Sequence, residues 1–301
     1  MISILISVFN YDCSALIEAL SAQAETVRAD MGEDYEIIVG DDASTDKELL
    51  EANRRACRRQ HCMLVENHPN LGRARNRNSM AQRAAGDKLL FMDCDAEMKR
   101  DDFLARYVAA LNGNDVVCGG LEAPAKLPSA DVKLRYKYER ASKKVRSLSY
   151  RKANPYLHFA AFCFMIRREL FMSIMFDENC HEYGYEDALF GLRLKQRGIH
   201  IEHIDNPMIH VGMDTNEAFV DKSEQAMRTL RGLGPDIKAD SHVGGMAMKI
   251  KRMRLLWMIK LWHRMFGGLE RRVLLGSHPS LFVLKIYKLG YFCQIGGVDK
   301  E

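Results

Sequence analysis

Two aspartates one residue apart, Asp93 and Asp95, close the stretch Leu89-Leu90-Phe91-Met92-Asp93-Cys94-Asp95-Ala96-Glu97. Its apolar start predicts a buried strand. Adjacent carboxylates at a strand end repel each other, and a divalent cation between them and a diphosphate would offset that repulsion. Ligands of open α/β sheets sit just outside the carboxyl ends of strands. An acidic surface turn is the other reading of the same residues. Tyr35-Glu36-Ile37-Ile38-Val39-Gly40 also reads as a strand and also ends in acids, Asp41 and Asp42. If both strands belong to one parallel sheet, these carboxylates gather at one edge. A further acid pair, Glu186 and Asp187, precedes Leu189, Phe190, Leu192 and Leu194. That spacing predicts a core-packed helix with both acids in its first turn, where the helix dipole favours them.

The elements that must carry these groups follow from the pattern around them. Ile2–Val8 is β-branched and reads as a first strand. Ser14 can cap a helix running through Leu16, Ile17, Leu20 and Val27. Thr45 or Asp46 opens a polar helix through Arg59, and Met63–Glu66 is a short strand. A turn, 67–72, leads into a helix over Arg73–Ala85, stopped by Gly86. Val116–Gly120 is another strand, and Ile199–Ile204 alternates like one. The alternation of strand and helix with short connections predicts an α/β fold, a doubly wound, mostly parallel sheet covered on both faces. No G-x-G-x-x-G follows the first strand and no G-x-x-x-x-G-K-[ST] occurs, so the usual signals of a dinucleotide oxidoreductase and a P-loop NTPase are missing.

Composition narrows the class further. The apolar and charged fractions, 47% and 28%, are those of a folded globular chain. Eight scattered cysteines form no C-x-x-C pair, which argues against a zinc site or a disulfide framework and for reduced thiols in the cytoplasm. The first residues, Met1–Val8, lack a basic n-region and read as a strand rather than a signal peptide. The net charge of +4 is unevenly spread. Between Met246 and Tyr291 there are ten Lys or Arg and one acid, Glu270, a local +9, which leaves −5 for the rest. Met246–Phe266 reads as one helix. Trp257, Met258, Leu261, Trp262, Met265 and Phe266 share a face, and Lys249, Arg252, Lys260, His263 and Arg264 lie opposite. A basic amphipathic helix with two tryptophans suits an anionic membrane surface, contacted from the inner face; packing on the rest of the protein or on a second subunit is the alternative.

Four segments in order, Ile4-Leu5-Ile6-Ser7-Val8-Phe9-Asn10, Glu36 to Asp46, Asn70-Leu71-Gly72-Arg73-Ala74-Arg75-Asn76 and Phe91-Met92-Asp93-Cys94-Asp95, resemble the family 2 glycosyltransferases of GT-A fold. The resemblance covers about the first two-thirds of the chain. It implies that the first two strands and their loops hold a nucleotide, with Phe9, Asp42, Arg75 and Asp93 as nucleotide-binding residues. Asp42 matches the position whose carboxylate receives a base N–H, and Arg75-Asn76 matches a pair flanking the pocket. Asp93 and Asp95 match the metal-binding D-x-D, and His210 is the better match for a histidine completing the shell around Mn2+ or Mg2+. His203 reads instead as a strand-surface residue. Gly184-Tyr185-Glu186-Asp187 resembles the family's acid motif, with Asp187 as general base and Glu186 on the acceptor. Arg73, Arg75 and Arg77 could assist a departing diphosphate or form a solvated helix face.

The resemblance implies sugar transfer from a nucleotide-diphosphate donor to a hydroxyl of a glycan or lipid-linked acceptor, with inversion, in assembly of a surface polysaccharide or other glycan. A related retaining family carries a similar Gly-x-Glu-Asp segment. The expected organisation is a catalytic domain over 1–233, with a nucleotide-binding half at 1–120 and an acceptor and base half at 121–233. A basic helical tail follows at 234–301. The basic segment Lys126–Lys152 is either an acceptor loop or a solvated face. No nucleic-acid partner is expected. A nucleotidyltransferase would need a glycine- and arginine-rich first loop, unlike Asn10-Tyr11-Asp12-Cys13. A non-catalytic nucleotide-sugar binding module would not need Asp187.

Overall fold

The computed structural model describes residues 1–58, 61–157, 159–180 and 183–295. The chain opens with β1 (Ile2–Val8), α1 (Ser14–Met31), β2 (Tyr35–Asp41), α2 (Lys47–Ala56), β3 (Cys62–Glu66), α3 (Arg73–Arg83) and β4 (Lys88–Asp93). This is the alternation expected from the sequence. Asp46 is the residue that opens α2, because its carboxylate accepts the amides of Glu48 and Leu49. The expected end of that helix at Arg59 lies outside the described residues. Ser14 does not cap α1; it is the first helical residue after Cys13, and its amide is taken by Asp12 at 2.9 Å.

There follow β5 (Ala96–Met98), α4 (Phe103–Leu111), β6 (Val116–Cys118), β7 (Leu121–Glu122), α5 (Lys133–Ala141), α6 (Leu148–Ala153), β8 (Cys163–Arg167), α7 (Arg168–Ile174), α8 (Glu186–Gln196), β9 (Ile201–His203) and β10 (Met208–His210). The main sheet has the order β3-β2-β1-β4-β8-β6-β9, and β5-β10-β7 form a second, smaller sheet. The strands β3, β2, β1 and β4 are parallel, while β8 runs antiparallel to both its neighbours. Alternation along β1 sends Ile2, Ile4 and Ile6 into a core with Ile17 and Leu20 of α1. Leu5 faces the other way, into a core with Met80, Phe91, Phe164, Phe171 and Phe190. Both faces are therefore covered, and each such side chain contributes about 1.5–3 kcal/mol on burial.

Compactness divides the chain into two units. The first takes in Met1–Ala123, Lys143–Asn179 and Glu186–Gly212. The second takes in Pro124–Ser142, the described residues of Cys180–Tyr185, and the described chain from Met213 on. This grouping differs from a partition in sequence order at residue 233. The second unit holds α5 together with α9 (Asn216–Gly232), α10 (Pro235–Asp240), α11 (His242–Arg252), α12 (Leu256–Leu275) and α13 (Leu281–Gln294). Leu134, Phe219, Val220, Leu274, Leu284 and Tyr287 form its core. Arg271 of α12 ties itself to Asp221 and Glu224 of α9 at 2.6 and 2.7 Å. The single helix expected over 246–266 is two, α11 and α12, because the chain turns at Met253–Leu255 with Arg254 in the left-handed region at φ 60°.

Candidate active site

Parallel pairing fixes where the acids lie. Val8 of β1 is in register with Asp41, and Ser7 with Asp93, so both acid-tipped strands end at one edge of the same sheet. Each loop beyond that edge is held by side chains of the chain itself. Asn10, at φ 48°, accepts the amides of Thr45 and Asp46 through Oδ1 at 2.8 and 3.1 Å. Asp41 accepts from the amide and hydroxyl of Ser44 at 2.9 and 2.6 Å. Phe9, half exposed at 52%, projects from the end of β1 at this edge.

Asp42 is engaged by the loop leading into α3. Its buried carboxylate accepts the amides of Leu71 and Gly72 at 2.8 and 2.9 Å, with Asn67 Nδ2 at 3.3 Å. Asp42 thus anchors the loop leading into α3, each of its oxygens accepting from a backbone donor. Arg75 and Asn76 also part company. Asn76 is buried and donates to the carbonyl of Gly40 at 2.8 Å, holding α3 against β2. Arg75 points outward to an exposed pair with Glu178 at 3.5 Å.

The arginine that organises the site is Arg77, two residues further on. It is 1% exposed, which excludes the solvated face as one of its two readings. Its Nη2 donates to Asp93 Oδ1 at 2.6 Å and its Nη1 reaches Glu186 Oε1 at 3.5 Å. Its guanidinium also lies over the Phe176 ring, 5.4 Å from the centroid. Arg73 approaches the other oxygen of Asp93 at 3.4 Å. Burial alone would raise the Asp93 carboxyl, but the Arg77 and Arg73 guanidiniums hold it below the usual carboxylate range. The D-x-D strand and the start of α8 are thus joined through one buried cation. The clue in the sequence was periodicity: Ala74, Arg77, Met80, Ala81 and Ala84 recur at helical spacing on the buried side of α3.

Glu186 and Asp187 occupy the first turn of α8, as expected, reached through Gly184 and Tyr185 at φ 99° and 69°. Glu186 is buried against Arg77, whereas Asp187 is only partly covered and accepts the amide of Ala188 at 2.8 Å. Burial pushes the Asp187 carboxyl up, and the Glu186 charge pushes further in the same direction, to about 6 against 3.8. The Ala188 amide and the two arginines oppose this without cancelling it. A carboxyl raised in this way can exchange a proton near neutral pH.

Asp95 stands apart from that network. Pairing of β10 with β5 sets His210 opposite Ala96, and His210 Nε2 lies 3.0 Å from Asp95 Oδ2. Asp95 Oδ1 is buried with no hydrogen-bond partner. Gly212 makes this approach possible, since a Cβ there would fall 2.4 Å from the Cβ of Asp95. Cys94 between the two aspartates does not compete as a thiolate, because burial and both carboxylates push its thiol well up. No cluster of three or more His, Cys, Asp or Glu among the described residues is arranged to hold a metal. A carboxylate with an orphaned buried oxygen beside an imidazole nonetheless fits a divalent cation that takes its remaining ligands from phosphate and water. Asp93, the other aspartate of the pair, is engaged by Arg77. His203 is not on a strand surface: it is 1% exposed, between Arg151 Nη1 at 2.9 Å and the Pro155 carbonyl at 3.0 Å.

A parallel sheet with an acid-rich carboxyl edge, an antiparallel strand inserted beside β4 and an acid pair opening α8 define a GT-A glycosyltransferase. Residues 3–175 match the model of glycosyl transferase family 2, and the chain belongs to that family. Solved structures of the same fold include the mannosyltransferase PcManGT from Pyrobaculum calidifontis, in complex with GDP-Man and Mn2+. It is 15% identical, with 97% of this chain and 84% of that chain covered and a TM-score of 0.56. TarS 1-349 from S. aureus is 16% identical, with 97% and 90% covered and a TM-score of 0.50. Its complex with UDP-GlcNAc is 15% identical over the same shares, also at 0.50. A comparison with curated protein sequences finds no match.

Proposed function

We propose that this glycosyltransferase moves a sugar from a nucleotide-diphosphate donor to a hydroxyl of a glycan or lipid-linked acceptor, with inversion, in assembly of a surface polysaccharide or other glycan. The observation that supports the reading is the buried link Asp93–Arg77–Glu186, which joins the end of β4 to the first turn of α8. In one displacement, the acceptor oxygen bonds to the anomeric carbon as the bond from that carbon to the diphosphate oxygen breaks. Asp187 takes the hydroxyl proton. Glu186 is held by Arg77, which leaves the more open Asp187 as the base. Phe9 offers an exposed ring against which a nucleotide base can lie. Arg73, 43% exposed beside Asp93, provides positive charge at the strand edge for the diphosphate.

Asp95 and His210 are the residues that would hold Mn2+ or Mg2+, and such a cation, when bound, supplies neutralisation of the charge collecting on the departing diphosphate. The test separates chemistry from binding. Asp187→Asn should leave donor affinity within a few-fold while transfer falls by about a hundredfold or more, as removal of a general base does. Transfer at close to the native rate would remove Asp187 from the mechanism and leave Glu186 as the next candidate.

A further inference from the structure

Helix α12 is buried along one side and bare along the other. His263, Gly267, Glu270 and Leu274 form its buried line. They face α9 and α13, with the ring of His263 set 5.2 Å from that of Tyr287. Gly290 of α13 permits this approach, because a Cβ there would fall 2.7 Å from the His263 ring. The packing of α12 is therefore complete without its other side. There, Trp257, Leu261, Trp262, Met265 and Leu269 are exposed by 63%, 48%, 48%, 64% and 60%. At about 100° per residue they fall within an arc of roughly 140°. Met253, 64% exposed, adds to the apolar surface just before the helix.

The charges beside this arc are of one sign. Lys260 and Arg264 are exposed along one edge of it, and Arg272 at its far end. Lys249 and Arg252 are exposed on α11. The single acid of α12, Glu270, is buried, where it accepts from Trp262 Nε1 at 2.7 Å and meets His263 Nδ1 at 3.3 Å. No helix among the described residues is long and apolar enough to cross a membrane. An apolar arc with tryptophans, a basic flank and no exposed acid fits a helix lying in a headgroup layer. A second copy fits poorly, since apposing two such faces brings the basic flanks together.

We propose that this face of α12 docks onto a bilayer that contains anionic lipids, with Trp257, Leu261 and Met265 entering the interface and Lys260, Arg264 and Arg272 on the headgroups. The proposal stands independently of the sugar-transfer reading. Both tryptophans of the chain lie on this helix, so tryptophan emission reports on this helix alone. Full-length protein would be sedimented with vesicles of phosphatidylcholine, with and without phosphatidylglycerol. Binding is expected to the mixed vesicles, with emission moving to shorter wavelength and affinity falling as salt is added. A Lys or Arg near such a surface is worth about fivefold in affinity, so Lys260→Gln with Arg264→Gln should weaken binding by about 25-fold. Trp257→Ser with Leu261→Ser and Met265→Ser should weaken it more than tenfold. All three side chains are exposed, so circular dichroism should show an unchanged melt.

No binding to the mixed vesicles, or binding that survives both sets of substitutions, would overturn the proposal. So would a chain that ignores vesicles but sediments as a dimer, with the triple substitution making it monomeric; the face would then belong to a second copy.

Discussion

Replacing Asp187 by asparagine should slow transfer about a hundredfold or more and make the protein more stable, and the gain in stability should depend on pH in a defined way. The Asp187 carboxyl is raised from 3.8 to about 6 by burial and by Glu186. A carboxyl with a raised pKa holds its proton more tightly in the folded chain than in the unfolded one. Its contribution is fully present below pH about 4 and is lost as pH rises through about 6. Above that, the folded state carries a charge whose cost is up to about 3 kcal/mol, from a shift of roughly two units. Asp187→Asn removes the charge, keeps the shape and keeps an oxygen for the Ala188 amide.

Urea unfolding of parent and variant from pH 4 to 8 should therefore give equal midpoints at pH 4, with the variant pulling ahead between pH 4 and 6.5 and levelling off above. Over the same range, kcat/KM of the parent should fall as pH drops below about 6, and the residual activity of the variant should lack that limb. A variant less stable than the parent at pH 8 would refute the environment deduced for Asp187. A parent profile flat through pH 6 would refute its role as base.

Asp95→Ala should abolish most of the dependence of nucleoside diphosphate affinity on Mn2+ in calorimetry, and unchanged dependence would take Asp95 out of the site. Gly212→Ala pushes on the Asp95 Cβ and should weaken Mn2+-dependent nucleotide binding with little loss of secondary structure by circular dichroism. Arg77→Leu leaves Asp93 and Glu186 without their shared cation and should cost about 3–5 kcal/mol in urea unfolding. Arg75→Ala breaks only an exposed pair and should cost less than about 1 kcal/mol.

The parallel half of the fold was readable because its strands are short apolar runs punctuated by helices, and a parallel sheet then gathers the ends of β2 and β4 without further information. The antiparallel insertion of β8 was not readable, since the apolar segment 154–165 carries no mark of direction. Asp187 and Asp95 were legible as acids at element ends, although for Asp187 the helix dipole is by itself a sufficient reason for an acid. Arg77 was left open between a solvated face and a role at the diphosphate because charge usually signals solvent; only its register with Ala74 and Ala81 pointed inward. Asp42 and Asn76 show the same limit from the other side. Residues matched to a ligand by motif also bind the backbone of Leu71, Gly72 and Gly40, contacts that no sequence pattern announces. The break of the tail at Met253–Leu255 was hidden because Arg254, unlike glycine, gives no warning of left-handed backbone.

The central claim is sugar transfer from a nucleotide-diphosphate donor, and product stoichiometry tests it most directly. Donors would be chosen by thermal shift in the presence of Mn2+, where a ligand at about 100 times its Kd adds about 2.7 kcal/mol. The enzyme would then be incubated with each stabilising donor and a set of hydroxyl acceptors, and both products measured by mass spectrometry. One nucleoside diphosphate should form for each glycosylated acceptor, with both products lost together in Asp187→Asn. Release of pyrophosphate, or tight donor binding with neither product formed, would contradict the account.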